Sequence, residues 1–406
     1  MNILVQKFGG TSVASEESRE HVYKKITEAV NNGYSLVVVV SAMGRTGDPY
    51  ATDTLLNLIR NDYPFASKRE LDVIFSCGEN ISGSIIAANL QKRGYKSCYL
   101  SGAQAGIITN ENHLDAKIIR VDNKKIMSLL SEGNIVVVGG SQGVSESGDI
   151  TTLGRGGSDT TGCALGVALD ASEIDIYTDV EGIMTADPRK VKNAVLLDEI
   201  SYEDCCNLAN KGAKVIHPRA VEVAMTKPQI KLYVKSTFCS HPGTLISKEN
   251  KYSENLILTG IAGYENLVYG NVICKDFITI DKLQKIMQNS VLTDYQVYYG
   301  ENGLIITSDA KNFIAVEKLF KDNGFSIDKC ENVSEISIVG NNLEKFPEFS
   351  EEVKNKLIDS EINIKMCLTN NRYITFITSN IYFAQITNAL HDYVVNQSER
   401  QLSYNY

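Results

Sequence analysis

Short apolar runs alternate along this chain with stretches in which apolar residues recur every three or four positions, a pattern that predicts a mixed α/β protein. Ile3, Leu4 and Val5 make the first run. A helix follows, opened by Ser15-Glu16-Glu17, carried on one face by Val22, Ile26, Ala29 and Val30, and stopped at Gly33. Leu36 to Val40 is the next strand, and strand, helix, strand in this order form a parallel unit. Further strands are expected at Lys96 to Leu100, Ile135 to Val138, Glu173 to Tyr177 and Ile230 to Val234. Helices are expected at Asp53 to Arg60, Glu70 to Phe75, Ile81 to Leu90 and Thr160 to Leu169. Together they describe an open, mostly parallel sheet sandwiched by helices.

Candidate chemistry collects where these strands end. Lys7, Ser41, Gly139, Gly140, Thr178 and Asp179 each lie at the carboxyl end of a predicted strand, and in an open parallel sheet those ends form one rim where ligands bind. Lys7-Phe8-Gly9-Gly10-Thr11-Ser12 puts a cation and glycine amides ahead of a helix, which suits phosphate oxygens. Alone, the stretch reads equally as a tight turn with a solvated lysine. It is not a Walker loop, whose lysine follows its glycines. Thr151 to Asp159 sets Arg155 among three glycines before a helix, and a guanidinium there suits bidentate carboxylate or phosphate binding. The competing reading is a long turn capped by Ser158 or Asp159. Glu79, in Ser76-Cys77-Gly78-Glu79, reads locally as a first-turn carboxylate beside a helix start. Lys211 and Lys214 lie beside small residues, and His217, ahead of a proline, reads as structural rather than as a base.

With 406 residues the chain should hold about two or three domains. A hydrophobic content of 43% and a charged content of 22% are ordinary for a globular protein, and no segment reaches the roughly 18 apolar residues of a membrane span. The N-terminus lacks the basic leader and apolar core of a signal peptide, so a cytoplasmic protein is expected. Nine cysteines without a repeated spacing suggest packing residues in a reducing compartment, not a zinc site. A net charge of −9 argues against a nucleic-acid surface, so an anionic ligand must meet individually placed cations.

These motifs, taken in order, resemble those of the aspartate kinases, within the amino-acid kinase family. The matching stretches are KFGGTSV at Lys7 to Val13, SAM at Ser41 to Met43, SCGE at Ser76 to Glu79, RGGSD at Arg155 to Asp159, Thr178-Asp179, Asp187 to Arg189, and GAKVIHP at Gly212 to Pro218. The resemblance covers essentially the whole chain. It implies ATP-dependent phosphorylation of the side-chain carboxylate of aspartate, a first step toward lysine, threonine and methionine, with Mg2+ arriving on ATP. A carboxylate is already nucleophilic at neutral pH, so the chemistry needs alignment and charge neutralisation, not a base. The resemblance places Lys7, Phe8, Gly9, Gly10, Thr178, Asp179, Arg189 and Lys214 at ATP. It makes Lys7, Asp159 and Lys214 the catalytic set, with Asp159 orienting the lysines. It gives Ser41, Glu79, Arg155 and Ser158 to aspartate. No protein ligand is implied for the metal. The alternatives are a glutamate or N-acetylglutamate kinase of the same fold, or a non-catalytic amino-acid sensor.

Beyond Ser247 the glycine motifs stop. Phe325 to Cys330 and Ile362 to Cys367 read as copies of one another, the mark of a repeated small α+β unit. The repeat resembles tandem ACT domains, which implies an amino-acid effector, lysine ahead of threonine, and homo-oligomer contacts through these units. The expected division is a catalytic domain at 1–247, a first ACT-type unit at 248–332 and a second at 333–406. The second is one strand short, and the spare strand at 256–262 is expected to complete it. Cys274 to Phe277, and the CLTNNR run at Cys367 to Arg372, depart from the family pattern.

Overall fold

A computed structural model describes residues 1–60, 63, 65–248, 256–273, 277–288, 295–300 and 303–403. Two compact units emerge. One comprises Met1–Met184, Val195–Asn210 and the described residues from Lys214 to Lys248, and the other Thr185–Ala194, Lys211–Ala213 and the described residues from Leu256 onward.

The first unit contains β1 (Ile3–Phe8), α1 (Gly10–Val13), α2 (Glu16–Asn31), β2 (Ser35–Val40), α3 (Thr52–Arg60), α4 (Lys68–Lys92), β3 (Ser97–Leu100), β4 (Ile107–Thr109), β5 (Ile118–Val121), α5 (Lys124–Ser131), β6 (Ile135–Gly139), β7 (Gln142–Ser145), β8 (Ile150–Thr152), α6 (Gly157–Ala168), β9 (Glu173–Thr178), β10 (Glu199–Ser201), α7 (Tyr202–Asn210), α8 (Pro218–Met225), β11 (Lys231–Ser236) and β12 (Thr244–Ser247). Its main sheet runs β10-β12-β11-β9-β1-β2-β6-β3, parallel throughout except between β11 and β12. The central strands are buried along their length, as their β-branched runs require when both faces are covered. On one face Leu4, Phe8, Val38 and Val40 meet Val22 and Ile26 of α2 and Ile86 and Leu90 of α4. Ser15 caps α2 by accepting the Ser18 amide.

Two differences from the sequence pattern matter for the site. The helices expected at Glu70 to Phe75 and Ile81 to Leu90 are one continuous helix, α4, so Glu79 lies in its middle and not at a start. A Cβ at Gly78 would lie 2.7 Å from the Ala42 Cβ, so this glycine serves close approach within the helix rather than termination. The helix expected from Thr160 begins at Gly157, which puts Ser158 and Asp159 inside its first turn. A second, four-stranded sheet, β5-β4-β7-β8, had no counterpart in the expected pattern, because strands of three or four residues leave little periodicity to read.

The second unit adds β13 (Ile257–Ile273), α9 (Phe277–Gln288), β14 (Tyr295–Gly300), β15 (Gly303–Asp309), α10 (Ala310–Asp322), β16 (Asp328–Asn341), α11 (Pro347–Asp359), β17 (Ile364–Thr369), β18 (Tyr373–Ser379) and α12 (Phe383–Ser403). They form one antiparallel sheet in the order β14-β15-β13-β16-β18-β17. The first half of β13 pairs with the far half of β16, Ala262 opposite Ser337, and β16 there pairs with β18. Its second half pairs with β15 and the start of β16. Cys274 to Asp276 lie outside the described residues. The CLTNNR run supplies the end of β17 and the turn into β18, where Asn370 accepts the amides of Arg372 and Tyr373 at 2.8 Å each.

Thr185–Ala194 and Lys211–Ala213 join this unit through buried polar contacts. The Ile261 amide donates to the Thr185 carbonyl at 2.7 Å, and the Thr185 hydroxyl meets His391 Nε2 at 2.8 Å. Lys211 Nζ lies 3.3 Å from Glu335 Oε1 and 2.8 Å from the Tyr298 hydroxyl, beneath the rings of Tyr298 and Tyr373. Among the described residues no helix is long and apolar enough to cross a membrane.

Candidate active site

Four parallel strands end on one rim. Lys7 is the penultimate residue of β1, Ser41 follows β2, Gly139 ends β6 with Gly140 next, and Thr178 ends β9 with Asp179 next. Side chains alternate along a strand. Phe8 therefore turns into the core, stacked 4.8 Å from Tyr177, and offers the rim only its backbone. Lys7 turns to the opposite face, where α6 packs.

There Lys7 Nζ lies 2.6 Å from Asp159 Oδ1, both side chains almost fully buried. Breaking such a pair strands a charge in low dielectric, a loss of about 3–5 kcal/mol. The first turn of α6 favours a carboxylate electrostatically, and it starts at the right place because Gly156, with φ of +65°, caps the helix. A Cβ at Gly156 would lie 2.1 Å from His217 Cγ. His217 itself caps α8, accepting the Arg219 amide at 3.3 Å. Burial and then the Arg219 charge push its pKa below the ordinary histidine value, which suits a neutral cap.

At the glycine pair, the Gly9 amide donates to the Tyr177 carbonyl at 3.3 Å. Gly10 and Thr11 open α1, and first-turn amides have no partner within their helix.

Glu79 has the most unusual environment. It is buried in the middle of α4, and burial pushes its pKa up to about 8 against the opposing pull of backbone amides, its own and that of Ala42 at 3.3 Å. Its Oε2 has no hydrogen-bond partner among the described residues. A cationic group is what this carboxylate lacks. Ser158 is buried with its hydroxyl 3.0 Å from that of Ser141, and the Ser41 amide donates to the Phe8 carbonyl at 3.1 Å. Arg155 is exposed between two glycines and makes no hydrogen bond or ion pair with the described residues.

On the β9 side, the Thr178 hydroxyl donates to Asp179 at 3.2 Å, and Asp179 pairs with Arg45 at 2.6 Å. The Thr237 amide donates to the Thr178 carbonyl, and the Thr237 and Ser12 hydroxyls meet at 2.7 Å, tying α1 to the end of β11. Lys214 is exposed in the first unit without a partner among the described residues. Arg189 belongs to the second unit, where it forks onto Asp187 at 2.9 and 2.8 Å. The expected set is therefore not all gathered in one unit: Lys7, Asp159, Ser41, Ser158, Thr178 and Glu79 belong to the first, and Arg189 does not.

Several contributors went unread in the sequence. Arg219 holds the Leu153 carbonyl at 2.8 Å and Asp115 at 2.7 Å, and its place directly after His217-Pro218 was the available signal. Arg45 sits in a polar loop without local pattern, and Ser141 follows the flagged Gly139-Gly140.

A profile of the amino acid kinase family matches residues 2–236. Aspartokinase 1 of Bacillus subtilis is 39% identical over 404 residues, spanning 97% of this chain and 98% of that protein. The aspartokinase of Geobacillus stearothermophilus is 40% identical over 409 residues, 97% of each. Among solved structures, E. coli aspartokinase III in complex with aspartate and ADP superposes with a TM-score of 0.79 at 24% identity, covering 96% of this chain and 99% of that one. The same enzyme with lysine and aspartate gives 0.72 at 24%, covering 97% and 99%. At that identity the likeness speaks to the fold.

The Glu79 environment makes stability depend on pH. Between its ordinary value of 4.5 and its folded value of about 8, the folded protein keeps a proton that the unfolded chain has released. Stability therefore falls as pH rises through this window, by at most about 1.4 kcal/mol per pH unit. Glu79→Gln should flatten this fall, so that Tm drops less between pH 5 and pH 8 than in the unaltered protein. Identical Tm profiles would show that Glu79 is not buried as a protonated acid.

Proposed function

The chain belongs to the amino acid kinase family, and within it to the aspartokinases, and from that premise we propose how its own residues transfer phosphate from ATP to the side-chain carboxylate of aspartate. The observation that carries the reading is the buried Lys7–Asp159 pair on the strand-end rim. It presents a preorganised cation, held by a carboxylate that has no free role as a base.

The acceptor is ionised at neutral pH, so the enzyme must align it and offset the charge spread over the moving phosphoryl group. Lys7 supplies that charge, with the amides opening α1 beside it. Asp159 fixes the Lys7 ammonium and does not take a proton. Glu79 takes the substrate ammonium, which explains its unpartnered oxygen, and Arg155 takes the α-carboxylate as an exposed fork free to close on it. Ser41 and Ser158 complete the amino-acid side. ATP lies toward Thr178 and Asp179, with Lys214 assigned to its phosphates. Mg2+ enters on the nucleotide, held largely by phosphate oxygens and water, and neutralises phosphate charge.

Product trapping with hydroxylamine, run with ATP and each of aspartate, glutamate and N-acetylglutamate, tests the reading. Hydroxamate from aspartate alone is expected, because Glu79 needs a free ammonium and the pocket a short side chain. Lys7→Met should lower kcat about 10²- to 10³-fold, with a smaller change in aspartate KM. Near-normal turnover in Lys7→Met, or preference for another acceptor, would overturn it.

We further propose that the second unit binds an end-product amino acid, lysine first and threonine second, and joins copies of the chain through its sheet. E. coli aspartokinase III, whose fold this chain shares, was solved in complex with lysine and aspartate. Titrating lysine and threonine, singly and together, into the full-length enzyme should inhibit it with a coupling of about 1–3 kcal/mol, and bound effector should in turn weaken aspartate or ATP binding. Unchanged activity with both ligands would remove this assignment.

A further inference from the structure

Asp72 is fully buried in α4, seven residues before Glu79 and so on the same helical face. Among the described residues it has no lysine or arginine partner. Three donors converge on it instead. His113 Nδ1 lies 2.6 Å from one carboxylate oxygen, while the Leu114 amide, at 3.0 Å, and the Thr152 hydroxyl donate to the other.

Each donor belongs to the structure that launches Arg155. Thr152 ends β8, three residues before Arg155, and its carbonyl accepts the Ala116 amide at 2.9 Å. The Leu114 carbonyl lies against Gly154, so close that a Cβ there would be 2.6 Å away. Leu114 itself has φ of +69°, a strained backbone that its amide bond to Asp72 holds in place. Arg219 grips the same loop from the other side through Asp115 and the Leu153 carbonyl. Other ties from α4 to this hairpin are longer or more exposed: Gln142 Nε2 on β7 donates to the Ser76 carbonyl at 3.4 Å and to Asn80 at 3.3 Å, and the Arg69–Asp149 pair at 2.8 Å is half-exposed and worth little.

We infer that Asp72, with His113 and Thr152, is a positioning device that sets the spacing between Glu79 on α4 and Arg155 beyond β8, and thereby selects the amino acid by length. This rests on the assignment of Glu79 and Arg155 to the substrate's ammonium and α-carboxylate. Arg155 has no other partner among the described residues, so its position is inherited from the loop that Asp72 anchors. A shift of about 1 Å in such a clamp is enough to lower activity by orders of magnitude. The same shift moves the side-chain carboxylate relative to Lys7, which is where aspartate and the longer glutamate differ.

The test uses Thr152→Val, which removes one hydroxyl at constant volume, Thr152→Ser, which keeps it, and Asp72→Asn. For each, KM for aspartate, KM for ATP, kcat and the kcat/KM preference for aspartate over glutamate are measured. Thr152→Val and Asp72→Asn should raise the aspartate KM about tenfold and narrow the preference, leaving the ATP KM within about twofold, and Thr152→Ser should restore both. An unchanged aspartate KM in soluble Thr152→Val, or aspartate and ATP KM rising together, would overturn the inference. If Asp72→Asn does not fold, the Thr152 pair still decides. Failure of the unaltered enzyme to phosphorylate aspartate would instead overturn the functional reading on which it rests.

Discussion

A lysine ammonium can be kept at the end of a central parallel strand only if a carboxylate meets it there, and the Lys7–Asp159 pair is the constraint around which the first unit is built. The strand must end where it does so that Lys7 faces α6 while Phe8 fills the core. The helix must begin at Gly157 so that Asp159 falls in its first turn. That start depends on a left-handed Gly156 packed against His217, which caps α8. The ion pair thus joins β1 to α6, and the Gly156–His217 contact joins the start of α6 to α8. The arrangement stabilises a fixed positive charge without a titrating base, which is what phosphoryl transfer to a carboxylate needs.

The amino-acid side follows the complementary logic. Glu79 is buried without a full complement of donors, an unfavourable state in the free protein that an ammonium group would relieve. Asp72, two turns away, is equally buried but fully served by donors from the neighbouring loop and hairpin. One carboxylate on that face is left with an unpartnered oxygen and the other is tied to the neighbouring loop and hairpin.

Six strands of the main sheet were legible, most clearly β2 and β6 with their nearly unbroken valine runs, while the short strands β10 and β12 were not expected; Ser15 and Gly33 bound α2 by local chemistry that a sequence displays directly. What a sequence does not display is contact at long separation. Gly78 carries the same local signal whether it ends a helix or lets one pack against Ala42, and only the tertiary neighbour decides. Asp72, His113 and Thr152 are about forty residues apart at each step, so no motif joins them. The Asp187 to Arg189 and GAKVIHP motifs are visible as local patterns. That Thr185–Ala194 and Lys211–Ala213 fold with the second unit was set by partners such as His391 and Glu335, far along the chain.

The central claim, that Asp159 acts through Lys7 and not on the substrate, is tested most directly by a double-mutant cycle in kcat over Lys7→Met and Asp159→Asn. If the pair is one device, Asp159→Asn lowers turnover strongly in the unaltered enzyme and adds nothing once Lys7 is methionine, so the coupling equals the whole Asp159 effect. Multiplicative losses, with Asp159→Asn as damaging in the Lys7→Met background as alone, would show that Asp159 contacts the reacting groups itself and would contradict the account.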